Sequence, residues 1–141
     1  MSFTLDPRIV ASTLEAGELG LSKLLLTNDA RFPWLVLVPR IENLTEIIDL
    51  DAAERARLME EIAECSRWLR ARDGVDKINF GALGNIVRQL HIHVIGRSIG
   101  DDAWPGSVWG AGTARAYDGD AAQRIVARLK RDLVDRKFGA A

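Results

Sequence analysis

From Gln89 to Ile95 the chain reads Gln-Leu-His-Ile-His-Val-Ile, and polar and apolar residues alternate from Gln89 to Val94. A period of two is the pattern of a β-strand, in which every second side chain points to the same face. Leu90, Ile92 and Val94 are therefore expected in the core, with Gln89, His91 and His93 in one row on the opposite face. His91 and His93 are the only two histidines of 141 residues. The row thus gathers all of the chain's imidazoles in one place and is the first candidate for chemistry.

The remaining patterns supply partners for that strand. Leu21–Leu26 and Trp34–Val38 are mainly apolar runs separated by turn-forming residues, which predicts an antiparallel pair, and Pro39 closes the second run because it has no ladder donor. Lys77–Phe80 and Leu90–Ile95 are two further expected strands, flanking the glycine-punctuated loop Gly81-Ala82-Leu83-Gly84-Asn85. Asp51-Ala52-Ala53-Glu54 has the form of a capping box. Leu58, Ile62, Cys65 and Leu69 follow at steps of three or four, which predicts a long helix ending near Arg72. A short helix is expected from Arg8 to Leu19, with Asp6-Pro7 as its start, and a closing helix from Asp120 to Lys137. Together these elements predict an α+β fold with an antiparallel sheet, one long helix and a C-terminal helix. No repeat, low-complexity segment or linker divides the chain, so residues 1–141 are read as one domain.

Composition narrows the function classes. The formal net charge is −1 and 48% of residues are hydrophobic. That balance offers no broad electrostatic footprint for nucleic acid or an anionic membrane, yet it is compatible with a small anion held by local groups. Cys65 is the lone cysteine, so no intramolecular disulfide framework exists; it lies on the apolar stripe and reads as a small core residue. The opening Met1-Ser2-Phe3-Thr4-Leu5-Asp6-Pro7 lacks a basic segment followed by an apolar run. A cytoplasmic protein is the expectation.

Three readings of the histidine row compete. The histidines could be structural, as single histidines on core strands usually are. They could bind a metal, because His-x-His on a strand is a common ligand pair; a third ligand would then have to be a carboxylate such as Asp101 or Asp102, and the spacing singles out neither. Alternatively, one of them acts on phosphate. Unprotonated imidazole is a good nucleophile towards phosphorus near neutral pH. Gln89, Asn79, Asn85 and the amides around Gly81 and Gly84 would provide donors for non-bridging oxygens. The third reading uses the most features at once.

Asn79-Phe80-Gly81, then Asn85, then Gln89-Leu90-His91-Ile92-His93-Val94-Ile95, resembles the signature of the histidine triad (HIT) family, His-φ-His-φ-His-φ-φ preceded by an Asn-x-Gly loop, where φ is apolar. The resemblance covers most of the chain. Trp34-Leu35-Val36-Leu37-Val38-Pro39-Arg40 is similar to the family's strand ending in Pro-Lys, Leu44–Leu69 to its acidic loop and long helix, and Trp104-Pro105-Gly106 to a Trp-Pro element of one branch. The resemblance implies a HIT-like α+β fold that forms a homodimer, and hydrolysis or transfer of nucleotides by attack at the α-phosphate. His91 matches the histidine that forms a nucleotidyl-histidine intermediate, and His93 the one that hydrogen-bonds the phosphate. It implies no metal and no cofactor. Dinucleoside polyphosphates and nucleoside phosphoramidates are the implied substrate classes; the alternative is a nucleotide-binding module with little or no catalysis.

The chain departs from the family pattern at several positions. Gln89 stands at the first triad position, where the family histidine supports the site by hydrogen bonding; an amide could preserve that geometry while removing a titratable group. Ile86 replaces a frequent serine near the leaving group, and Asn85 beside it matches a polar position expected to contact the leaving group or phosphate. Arg40 replaces the usual lysine, and Glu42 a frequent histidine. Asn28 and Asp29 fall about where the family places an acidic residue that binds ribose, although a turn role serves equally well. Trp34 is expected in the core and Trp109 as an anchor of the tail. Trp104 is expected either near the substrate, reaching a partner subunit's site, or as a second anchor. Arg97 reads either as a surface charge or as a contact for polyphosphate.

Overall fold

The computed structural model describes residues 3–136; the Met1-Ser2 start and the expected helix end at Lys137 lie outside them. The chain forms helix α1 (Pro7–Ser12), strands β1 (Thr13–Glu18), β2 (Ser22–Thr27) and β3 (Trp34–Pro39), the long helix α2 (Ala52–Arg70), strands β4 (Lys77–Gly81) and β5 (Ile92–Arg97), and helix α3 (Ala121–Leu129), which continues as a π-helical segment Lys130–Asp135. The five strands make one antiparallel sheet in the order β1-β2-β3-β5-β4. The architecture is the α+β fold read from the sequence. No helix among the described residues is long and apolar enough to cross a membrane.

The sheet has two packed faces, and alternation along its strands decides which residue goes where. Leu24, Leu26, Leu35, Leu37, Ile92 and Val94 meet the α2 stripe of Leu58, Ile62, Cys65 and Leu69, with Leu129 of α3 closing the same cluster. Leu25, Trp34, Val36, Val38 and Ile95 pack on the other face with Ile9, Phe32 and Val108. Each fully buried leucine contributes about 1.5–3 kcal/mol to such a core. Because Ile92 and Val94 are drawn to the helix side, His93 between them is forced onto the face opposite α2. Helix α2 starts where the sequence predicts: the Asp51 carboxylate accepts from Glu54 N and the Glu54 carboxylate from Asp51 N, a complete capping box.

Two expectations need correction. The helix expected over Arg8–Leu19 stops at Ser12, and its second half is strand β1. The start signals were sound, since Pro7 occupies the first turn and the Asp6 side chain accepts from Arg8 N. Thr13, however, is extended (φ −134°, ψ 165°), and the residues beyond it pair with β2 from Thr13 opposite Thr27 to Glu18 opposite Lys23. Those non-local ladder bonds override a weak helix propensity. Gly17 marks a β-bulge; its φ of 143° and its contact with Val134, 2.9 Å from where a Cβ would stand, leave room only for glycine. The strand of the histidines likewise begins at Ile92, not at Leu90. The backbone of Leu90 bonds instead to Leu44 O, so Gln89 and His91 lie just outside the ladder.

Candidate active site

His91 and His93 open onto a cleft of about 460 Å³ bounded by α1, the β2–β3 loop, strand β3 and the 108–114 segment. Its walls include Ile9, Trp34, Val36, Val87, Val108 and Trp109, and charged residues Arg8, Asp29 and Arg31 also line it. The two imidazoles meet edge to face, with ring centroids 4.9 Å apart.

Hydrogen bonds fix the proton positions on both rings. His91 Nδ1 lies 2.7 Å from the Gln89 carbonyl oxygen. A carbonyl only accepts, so Nδ1 carries the proton and Nε2 keeps its lone pair in the neutral ring. At His93 the order is reversed. The indole N–H of Trp34 donates to His93 Nδ1 at 2.9 Å, which leaves the proton of the neutral ring on Nε2. His91, just before β5, and His93, within it, thus present a lone pair and an N–H donor side by side. Trp109 stacks edge-on against His93 with centroids 5.6 Å apart, and it can approach because residue 81 is glycine: a Cβ there would stand 3.2 Å from Trp109 Cη2.

Burial, with His91 adding a smaller effect, pushes the His93 imidazole down to about 4 from its ordinary 6.5. The unfolded chain takes up that proton near 6.5 while the folded chain resists it. The stabilisation is therefore fully present above about pH 6.5 and is lost as pH falls towards 4. Between pH 7.5 and 4.5 the loss amounts to about 2–3 kcal/mol. Urea midpoints at the two pH values are expected to show this extra drop in the wild type and not in His93→Gln; equal drops would remove His93 as its source.

Gln89 acts on His91 through its main chain. Its side-chain amide is turned away and grips the N-terminal segment, accepting from Asp6 N at 2.8 Å and donating to Thr4 O at 2.9 Å. Asn79 Oδ1 accepts from Arg97 Nη1 at 2.9 Å and is not on the cleft wall. Asn85 is exposed on the β4–β5 loop. Asn28 Oδ1 accepts from Tyr117 N at 3.0 Å, and it is Asp29 that lines the cleft. Trp104 lies against the Arg97 guanidinium, 5.7 Å from ring centroid to Cζ, outside the cleft of its own chain. Arg97 is neither a surface charge nor a cleft residue. It is 1% exposed and forms a two-pronged pair with Asp101, Nε–Oδ2 and Nη2–Oδ1 both 2.9 Å.

Sequence reading missed the roles of Trp34, Trp109 and Arg31 in the cleft. Asp29 is 1% exposed and holds Arg31 through both carboxylate oxygens, while Arg31 Nη1 donates to Ala111 O at 2.6 Å. Burial would raise the Asp29 carboxyl, but the hydrogen bonds from Arg31 and from backbone amides outweigh it and hold the group below its ordinary value. Asp29 is thus committed to tying the 111–115 segment to the β2–β3 loop. No group of three histidine, cysteine or acidic side chains placed to hold a metal ion occurs among the described residues, and Asp101, one possible third ligand, is occupied by Arg97.

A five-stranded antiparallel sheet with one histidine on an inner strand and a second just before it, both lining a cleft on the side away from the long helix, defines a class of small α+β domain. A profile of the HIT domain matches residues 13–99, and the chain belongs to the HIT family. Solved structures agree over nearly the full length. A histidine triad protein from Bradyrhizobium japonicum is 44% identical, with 94% of this chain and 99% of that one covered and a TM-score of 0.90. A histidine triad (HIT) protein from Sinorhizobium meliloti 1021 is also 44% identical, over 93% and 97% of the two chains, with a TM-score of 0.88. A histidine triad protein from Marinobacter aquaeolei VT8 is 39% identical over 96% and 98%, with a TM-score of 0.90. No curated protein matches the sequence significantly.

Proposed function

We propose that this chain, as a single HIT domain, is a nucleotide hydrolase or nucleotidyl transferase acting at the α-phosphate of AMP-containing compounds. The observation that carries this reading is the His91 Nδ1–Gln89 O hydrogen bond, which leaves the His91 Nε2 lone pair available for attack. Nε2 forms a bond to the α-phosphorus as the bond to the leaving group breaks, and the leaving group departs with that electron pair. A water then attacks the same phosphorus and gives up a proton to solvent, the P–N bond breaks with its electron pair returning to Nε2, and AMP is released with His91 restored. His93 Nε2–H donates to a non-bridging oxygen as charge builds there. The apolar cleft walls, Trp34, Val36, Val108 and Trp109, suit a base.

Dinucleoside polyphosphates and nucleoside phosphoramidates are the proposed substrates, and a homodimer the proposed assembly. Supporting the dimer, β4 is an edge strand and its Phe80 is 54% exposed. The test is AMP release from diadenosine polyphosphates and adenosine phosphoramidate without added metal, with acid-quenched protein examined for a phosphorus–nitrogen adduct on His91. Release with an adduct is the expected result. AMP binding without release or adduct would replace the enzyme by a nucleotide-binding module, a reading favoured by the 78% exposure of Ile86 where a polar leaving-group contact was expected.

A further inference from the structure

In the row of three, only the histidines face the cleft; the amide of Gln89 is held by Thr4 and Asp6 and reaches neither ring by a hydrogen bond. Something else must fix His93. Across the sheet, Val36 is the direct partner of His93 and Trp34 that of Ile95, so the indole reaches diagonally by two residues to arrive at the imidazole. It is 9% exposed and braced edge-on by Phe32 at 6.4 Å.

An indole nitrogen is a donor and never an acceptor. A hydroxyl, an amide or a second imidazole in that place could serve either tautomer of His93. Trp34 serves one. Protonating His93 at Nδ1, whether by a tautomer change or by forming the imidazolium, would set two N–H groups against each other at 2.9 Å. Trp109 packs edge-on against another side of the ring at 5.6 Å, so the two indoles together hold the imidazole in place.

We propose that Trp34 is a positioning residue of this site: its indole N–H locks His93 in the Nε2–H tautomer and so keeps a permanent donor aimed at the phosphate, an organising role that the Gln89 side chain does not fill. The effect on rate rests on the phosphate chemistry proposed above; the lock itself does not.

The first test is therefore nitrogen-detected NMR of ¹⁵N-histidine-labelled, ligand-free wild type between about pH 5 and pH 8, the range in which a free imidazole titrates. His93 is expected to show an unprotonated Nδ1 and a protonated Nε2 throughout. A His93 that carries its proton on Nδ1, or that titrates like a free imidazole, would overturn the lock with no variant and no turnover needed. In Trp34→Phe the same signals are expected to move towards tautomer exchange. kcat for AMP release should fall about tenfold or more, with KM little changed. Trp34→His, which restores a ring N–H, is expected to recover part of the rate. Unaltered His93 signals in a folded Trp34→Phe would refute the proposal even if AMP release falls. A correct wild-type tautomer with no AMP release would instead uphold the lock and refute the enzymatic reading.

Discussion

Replacing His91 with alanine is expected to abolish AMP release, by a factor on the order of 10⁴ or more, while leaving the fold and nucleotide binding in place. The size follows from the proposed role: the variant has no nitrogen with which to form the proposed covalent intermediate, and the neighbouring imidazole cannot substitute. The Nδ1 of His93 is covered by the Trp34 indole and its Nε2 carries the proton, so His93 has no lone pair to offer. Stability should change little. His91 is only partly buried, belongs to neither apolar cluster, and has its Nδ1 bonded to the main chain of Gln89 just outside the β5 ladder. The paired measurement is AMP release and calorimetric AMP binding on the same preparation. Substantial residual turnover in a folded His91→Ala would remove His91 as the nucleophile.

The largest stability effect is expected away from the cleft, at Asp101. Its carboxylate accepts two hydrogen bonds from the buried Arg97 guanidinium and two more from Ser98 N and Ala103 N. The Arg97 bonds hold the carboxyl far below the usual carboxylate range. Asp101→Ala would leave Arg97 charged and without its carboxylate partner, packed between Phe32 and Trp104, a situation that costs about 3–5 kcal/mol. Asp102→Ala, at an exposed position next along the chain, should change stability by less than about 0.5 kcal/mol. Urea unfolding of the two variants side by side makes the comparison; a loss below about 1 kcal/mol for Asp101→Ala would mean that the pair contributes little. The sign with pH is that of a depressed carboxylate: the stabilisation is present above its unfolded value of 3.8 and is lost as pH falls below it.

The contrast between these two positions shows what could be read from the chain. In the sequence Asp101 reads as a possible metal ligand and Arg97 as a possible phosphate contact, because charged residues near a histidine row invite chemistry. Both belong instead to a buried pair that holds the 98–104 loop. Nothing local distinguishes a charge destined for burial from one left in water, since the partner's approach is set by the packing of β4, β5 and the loop after them. Trp34 carries the same lesson in reverse. Its place in an apolar strand marked it as core, and it is buried, yet its one polar atom reaches His93.

What the sequence determined by itself is what depends on short-range periodicity and capping. The alternation in β5, the apolar stripe and capping box of α2, the turn before β3 and the pairing of two histidines are all written within a few residues of each other. So is the family membership, because the motif keeps its order and spacing. Tertiary structure alone decided what depends on distant partners. β1 became a strand because β2 offered it a ladder, and the bulge at Gly17 admits no side chain because Val134 comes close. The Gln89 amide left the histidine row because Thr4 and Asp6, more than 80 positions away, satisfy both of its polar ends. The proton on His93 was settled by an indole from another strand. A hydrogen bond depends on distance and direction in space, and separation along the chain carries no record of either.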